Sequence, residues 1–289
     1  MIDAQRRAEA PTEAATEAAT EAATEAATEA ATEAGSERGG GDTMGDEFGT
    51  MARWTHEAVR TLGGDHAVPA ACRGSGTPAV LDWLLDHLGP SPTARMLDVG
   101  AGLGGPAAYA HEQLGVRPLC VDPERDACLA AADLFALPTA IADAGRLPFD
   151  AGCFDALWSL GTLCTTEAKG SWLAELRRVA RPGAALGLLV LVSTGAAFGT
   201  GAGNAFPSDG ELSDLVGRAG FAVTATAWSS ELADAGPRWA GAEQRVEREV
   251  AARHGADPRY RRVKEQESRL ATLLEEGRIR GRLIVGRAR

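Results

Sequence analysis

The sequence predicts an α/β fold built on a mostly parallel sheet, and three observations carry that prediction. The segment Met96-Leu-Asp-Val-Gly-Ala-Gly-Leu-Gly-Gly-Pro-Ala-Ala-Tyr109 reads as an apolar strand, a glycine turn and the start of a helix. Downstream, short apolar runs alternate with helical stretches, and several of those runs close on an aspartate. With 289 residues, 45% of them apolar, the chain has material for one buried core and an accessory cap.

Residues 1–43 are expected to form a disordered tail. Six Thr-Glu-Ala units begin at Thr12, Thr16, Thr20, Thr24, Thr28 and Thr32, and the linker Gly35-Ser-Glu-Arg-Gly-Gly-Gly41 follows. Ala and Glu favour helix, yet Glu recurs every fourth residue with no Lys to compensate, so any helix would be transient. Met44 and Met51 are candidate true starts. Residues 44–90 read as a helical cap containing Trp54, His56, His66 and the polar turn Ala71-Cys-Arg-Gly-Ser-Gly-Thr77. Its last part, Pro78 to Leu88, places Val80, Leu81, Leu84, Leu85 and Leu88 on one helical face, which predicts packing on the sheet.

Residues 91–289 are expected to form the ligand-binding domain. After Gly105, Pro106 suits a first helical turn, and the helix runs to about Leu114. Val116 to Val121 is a second strand closed by Asp122-Pro123. A helix over Cys128 to Leu134 follows, then a third strand, Thr139 to Ala142, ending at Asp143. Cys153 to Ser159 is the fourth strand. Glu175-Leu-Arg-Arg-Val-Ala-Arg-Pro-Gly183 reads as a helix end stopped by Pro182 and Gly183, ahead of the fifth strand, Ala185 to Val192. The glycine-rich loop Ser193 to Asn204 leads on toward the sixth strand, Phe221 to Trp228. An insertion over about 229–278 carries two helical patterns, Arg238 to His254 and Pro258 to Glu276, before Arg282 to Val285 returns as the last strand. A connection this long in a compact domain points to a lid or an oligomer surface, which would allow a homodimer.

The glycines would let the backbone turn sharply and approach a ligand. Their spacing, Gly100-x-Gly102-x-x-Gly105, fits both dinucleotides and S-adenosylmethionine. Asp122, roughly 20 residues further on, is placed to accept ribose hydroxyls in either class. Asp98 leans the balance, because a carboxylate two residues before the turn would repel a pyrophosphate and suits a cationic ligand.

Taken together, Leu97 to Gly105, Val121-Asp122, Ala142-Asp143, Leu147-Pro-Phe149, Phe154-Asp155 and Arg181-Pro-Gly183 resemble the class I S-adenosylmethionine-dependent methyltransferases. More narrowly, the chain is similar to the small-molecule branch that includes ubiquinone, menaquinone and antibiotic-pathway enzymes. The resemblance spans about residue 80 to the end. It implies a Rossmann-like sheet with a reversed last strand and a helical substrate cover in the insertion. By that likeness, Gly100, Ala101, Gly102 and Gly104 would line the methionine portion of the cofactor, and Asp98 would face its amino group. Asp122 and Pro123 would hold the ribose, Asp143 and the amide of Ala144 the adenine, and Ser159 or Leu160 would lie beside the sulfonium. Trp54, Arg73, Cys164 and Trp239 are the candidate acceptor contacts.

The expected reaction moves the cofactor's methyl group to an O, N or C atom of a small molecule of secondary metabolism, releasing S-adenosylhomocysteine. A base is needed only if the acceptor must lose a proton, and His66 and His56 lead the candidates, with His254 third. His87 and His111 sit in core helices and are expected to be structural. The turn Gly161-Thr-Leu-Cys-Thr-Thr166 lacks the histidine that several relatives carry, which keeps N- and C-methylation open beside O-methylation. One alternative is a cofactor-binding protein of the same fold that promotes cyclisation or regulates; another, less favoured by Asp98 and Arg181-Pro-Gly183, is a nicotinamide-dependent oxidoreductase.

The net charge is −11, of which residues 1–43 contribute −7 from ten acidic and three basic residues. No basic stripe with interleaved aromatics supports a nucleic-acid partner. No apolar run reaches membrane-spanning length and no leader is read, so a cytoplasmic setting is expected. Cys72, Cys120, Cys128, Cys153 and Cys164 lack metal-ligand spacing and are expected to be reduced thiols, with no metal bound.

Overall fold

The computed structural model describes residues 43–195 and 204–289. The predicted tail through residue 42 and residues 196–203 of the glycine-rich loop lie outside the described residues. Within them, strands β1 (Met96–Val99), β2 (Leu119–Asp122), β3 (Thr139–Ile141), β4 (Phe154–Leu160), β5 (Ala180–Ser193), β6 (Phe221–Trp228) and β7 (Ile279–Ala288) form one sheet. Its order is β3-β2-β1-β4-β5-β7-β6. Neighbouring strands from β3 across to β5 pair in parallel, and β7 inserts between β5 and β6 antiparallel to both. The reversed last strand is therefore present. The chain order changes direction between β1 and β4, which opens a crevice at their carboxyl ends.

The helices are α1 (Thr43–Leu62), α2 (Ala67–Ala71), α3 (Pro78–Leu88), α4 (Gly105–Leu114), α5 (Arg125–Phe135), α6 (Lys169–Val179), α7 (Asp209–Arg218), α8 (Pro237–His254) and α9 (Pro258–Glu275). Alternation along the strands separates two cores. On one face, Leu97, Val99, Leu157, Leu186, Leu188 and Val190 pack with Leu173 and Leu176 of α6 and Leu212 and Val216 of α7. On the other, Met96, Trp158, Leu160, Leu189 and Val285 meet the five apolar residues predicted for α3, all buried. Local signals set the helix ends. α3 starts on Pro78 and stops at Gly89 in a left-handed turn with φ 57°, and α7 opens with a Ser208–Glu211 capping box.

Two expectations are corrected. The helix through Arg181 ends at Val179 instead, because Ala180 already pairs with Phe154. Pro182 and Gly183 fall inside β5, where the pairing jumps from Phe154–Ala180 to Ala156–Ala185, so they make a bulge and not a helix stop. β2 begins at Leu119 and not Val116, since Pro118 has no amide to donate.

The cap and the insertion meet. Trp54 of α1 stacks on His254 of α8 at 4.2 Å and carries the Arg259 guanidinium of α9 at 5.3 Å. Met51, Trp54, Ala58 and Val59 share a buried cluster with Ala67, Ala70, Val246 and Val250. On its other side α1 reaches α5 through Arg53–Asp126 at 2.8 Å and His56–Asp133 at 2.7 Å. α1 thus bridges the sheet domain and the insertion.

Candidate active site

The glycine loop is built from both of its flanking strands. Gly100 and Ala101 donate their amides to the Val121 carbonyl at 2.8 and 3.0 Å, which lays the loop across the end of β2. Asp122 completes the fastening: Oδ2 accepts the Gly102 amide at 2.8 Å and Oδ1 the Glu124 amide at 2.9 Å. Gly100 has φ 73°, and a Cβ there would lie 2.5 Å from Thr162 Cγ2, so the residue is required on both counts. A Cβ on Gly105 would collide with the backbone of Ala71 and Cys72. The polar turn of the cap therefore rests directly on the loop. From above, the Phe48 ring of α1 comes within 3.5 Å of the place a Gly102 Cβ would occupy.

Asp98 is the electrostatic centre of the site. It is 2% exposed, and its Oδ2 has no hydrogen-bond partner. Its register neighbour on β4 is Trp158, whose indole N–H is also buried without a partner. The indole lies close enough to steady the carboxylate, though the two stay outside hydrogen-bond geometry. Burial pushes Asp98 up to about 7; the indole opposes this, and the Asp122 charge adds to it. Burial likewise pushes Asp122 up to about 6, against the two amides that hold it down. A buried carboxylate in this state needs either a proton or a cation.

The other expected cofactor residues fall around the same crevice. Asp143 is exposed just beyond β3, and its Oδ1 accepts the Gly145 amide at 2.6 Å, while Ala144 is buried beside it. Ser159 and Leu160 end β4, and Ser159 Oγ meets Thr162 Oγ1 at 2.6 Å. Thr162 escaped the sequence reading, although its position two residues past the β4 end was a usable signal. Asp155 pairs with Arg181 and accepts the Arg95 amide at 3.0 Å. That pairing accounts for Arg181.

Beside the crevice lies a cavity of about 500 Å³. The sheet supplies Leu189, Leu191 and Gly281, the cap turn Cys72 to Gly76, and α8 Glu243, Val246, Glu247 and Val250. Because Leu189 pairs with Leu160, the cavity begins one strand away from the proposed sulfonium end. A Cβ on Gly161 would strike the Gly74 carbonyl, so the cap turn that rests on the glycine loop also packs against the end of β4.

Of the four candidate acceptor contacts, only Arg73 lines this cavity, and it is ion-paired with Glu267. Trp54 is held in the α1–α8 cluster, and Cys164 is buried in the opposite core. Trp239 donates to Glu243 at 3.1 Å and packs edge-on to Tyr109. None of the three histidines first proposed as bases lines the cavity. His56 faces Asp133, and His254 stacks on Trp54. His66 Nδ1 donates to the Gly63 carbonyl, and its Nε2 accepts from Arg245 at 2.8 Å, which occupies its basic nitrogen. His87 and His111 bond the Trp83 and Val116 carbonyls, in keeping with structural roles. Glu243 escaped the sequence reading. Its signal was a carboxylate flanking the apolar stripe of Ala242, Val246 and Val250.

An open sheet with its glycine loop, Asp98 and Asp122 at the switch point defines a class I methyltransferase fold. Residues 97–188 match the family model described as a methyltransferase domain. It is 28% identical over 119 residues to methyltransferase GfsG of Streptomyces halstedii, covering 39% of this chain and 43% of that protein. To the chloroplastic tocopherol O-methyltransferase of Arabidopsis thaliana it is 34% identical over 106 residues, covering 34% and 30%. The chain thus spans less than half the length of these relatives. Among solved structures it superposes on the [4+2]-cyclase SpnF with a TM-score of 0.59 and 22% identity, covering 72% of this chain and 80% of that one. Among the described residues no helix is long and apolar enough to cross a membrane, and no group of His, Cys, Asp and Glu could hold a metal.

Proposed function

We propose that the chain is an S-adenosylmethionine-dependent methyltransferase acting on a small molecule. The observation that carries this reading is Asp98, a buried carboxylate with a free oxygen directly before the glycine loop. Its residues fit the cofactor: Asp98 would hold the ammonium, Asp122 has lone pairs left for ribose hydroxyls, and a pyrophosphate would meet only repulsion. When bound, the cofactor supplies a methyl group activated by a positively charged sulfur.

The protein's own share is alignment and exclusion of water. The loop from Gly100 to Gly104 and Asp122 would hold one end of the cofactor, with Pro123, Asp143 and Ala144 toward its nucleoside. Ser159, Leu160 and Thr162 would border the end that carries the methyl group. The cap over 44–90 and the insertion over 229–278 both line the cavity that would hold the acceptor and keep water from it. The reading places the protein in the cytoplasm, supported by five unbonded cysteines, four of them buried, and allows a homodimer. An acidic net charge of −11 speaks against a nucleic-acid partner.

Calorimetric titration with S-adenosylmethionine, S-adenosylhomocysteine and NAD tests the cofactor. The first two bind and NAD does not; NAD binding alone would sink the reading. Fold by itself leaves cyclisation open, as the SpnF likeness illustrates. Labelled methyl groups passing from cofactor to a compound in a metabolite extract decide for transfer, whereas binding without transfer decides for the alternative.

A further inference from the structure

We propose that the acceptor is an apolar amine and that Glu243 receives its charged nitrogen in the 500 Å³ cavity. This rests on the methyltransferase reading above. The cavity walls are mainly hydrocarbon: Val80, Leu189, Leu191, Leu232, Val246 and Val250. Four charged side chains also line it, Arg73, Asp234, Glu243 and Glu247, so the lining is acidic by two charges.

The positive partners are already engaged. Arg73 pairs with Glu267, and Glu247 pairs with Lys264, which also reaches Glu267 at 2.8 Å. Asp234 is exposed near the rim. Glu243 differs: among the described residues it forms no ion pair, and its one hydrogen bond comes from the Trp239 indole at 3.1 Å. The groups acting on it are Arg73 and Cys72 from the cap turn and Glu247 from its own helix. Burial raises its proton affinity, with Trp239 and Arg73 opposing and Glu247 adding. A half-buried carboxylate on an apolar cavity wall, with no ion pair of its own and only the already paired Arg73 acting on it, is best satisfied by a cation on the ligand.

The chemistry balances. An alkylammonium entering the cavity pairs with the Glu243 carboxylate and passes its proton to it, leaving a neutral amine with a free lone pair. That nitrogen forms its bond to the methyl carbon as the carbon–sulfur bond breaks, and the electron pair stays on sulfur. The positive charge moves from sulfur to nitrogen.

Three matched probes test this: tryptamine, tryptophol and indole-3-acetate share one ring and differ in charge. Each is titrated calorimetrically into the full chain with and without S-adenosylhomocysteine. Tryptamine is expected to bind about tenfold or more tighter than tryptophol, with the acid weakest. Glu243→Gln keeps an acceptor for the Trp239 indole and removes the charge, so it should erase the preference while S-adenosylhomocysteine affinity and the unfolding midpoint stay unchanged. Glu247→Gln, at an already paired carboxylate, should keep most of the preference. Equal binding of the three probes, no detectable tryptamine binding, or an amine preference that survives Glu243→Gln would overturn the proposal. Amine selectivity that depends on Glu243 but comes without S-adenosylhomocysteine binding would overturn the cofactor reading, and with it the amine's role as methyl acceptor, leaving Glu243 as an amine-binding residue only.

Discussion

Asp98 shows what a single residue costs and what it does. Its pKa of about 7 stands well above the unfolded value of about 3.9, so the folded state holds a proton that the unfolded chain has lost. The penalty for folding with this group is absent below pH about 4, grows as pH rises, and is complete above about 7. Asp122, at about 6, adds in the same direction over a narrower window. Asp98→Asn should therefore stabilise the ligand-free protein at pH 8, by on the order of 2 to 4 kcal/mol, and flatten its stability between pH 5 and 8. The same variant should lose cofactor affinity. Urea unfolding at both pH values, with calorimetry alongside, checks both halves; a variant less stable than the parent at pH 8 would refute the account. Asp122→Ala should weaken cofactor binding by about 1.5 to 3 kcal/mol. It should also cost stability, because the Gly102 and Glu124 amides lose their acceptor. That second effect left no sign in the sequence, which allowed Asp122 as a ribose ligand or as a turn residue before Pro123, not as the acceptor that fastens the Gly102 amide.

At the scale of elements, local chemistry made most of the sheet legible. β6 was read to the residue, and α3, α8 and α9 to within one residue at either end, because apolar periodicity, Pro and Gly punctuate them clearly. The misreadings at Pro118 and at Pro182-Gly183 share one cause. Proline and glycine mark irregular backbone, but whether that becomes a helix end or a strand bulge depends on the partner strand. The α1 bridge likewise depends on tertiary packing. Trp54 joins α1 to α8 and α9 by stacking and burial, so Trp54→Ala should cost about 3 to 5 kcal/mol locally. Hydrogen exchange should quicken over 43–62 and 237–254 and remain slow in β1 and β4. Uniform quickening across the sheet would show that the bridge is not a separate unit.

For the whole molecule, the consequence of these contacts is a cavity beside the crevice at the carboxyl ends of β1 and β4, proposed to hold the acceptor. Sheet, cap turn and insertion each supply part of the wall. Filling the cavity should then silence transfer without touching the cofactor. Leu191→Trp, on the β5 wall, is expected to reduce methyl transfer by at least about a hundredfold, roughly 2.7 kcal/mol in the barrier, with S-adenosylhomocysteine affinity unchanged. Unchanged transfer in this variant would refute the placing of the acceptor in this cavity.

The sequence by itself determined the α/β class, the glycine loop and the aspartates at successive strand ends. These are encoded by neighbours a few residues apart, through strand periodicity, positive-φ glycines and carboxylates placed at carboxyl ends. The tertiary structure alone decided which side chains line the cavity. It drew His56, His66 and His254 into packing and hydrogen bonds outside the cavity, and left Glu243 on the cavity wall without a counter-ion. The reason is physical: a side chain's charge and partners are set by elements that meet from 50 to 200 residues apart, such as Arg73 against Glu267, 194 residues along the chain. No spacing rule within one segment carries that information.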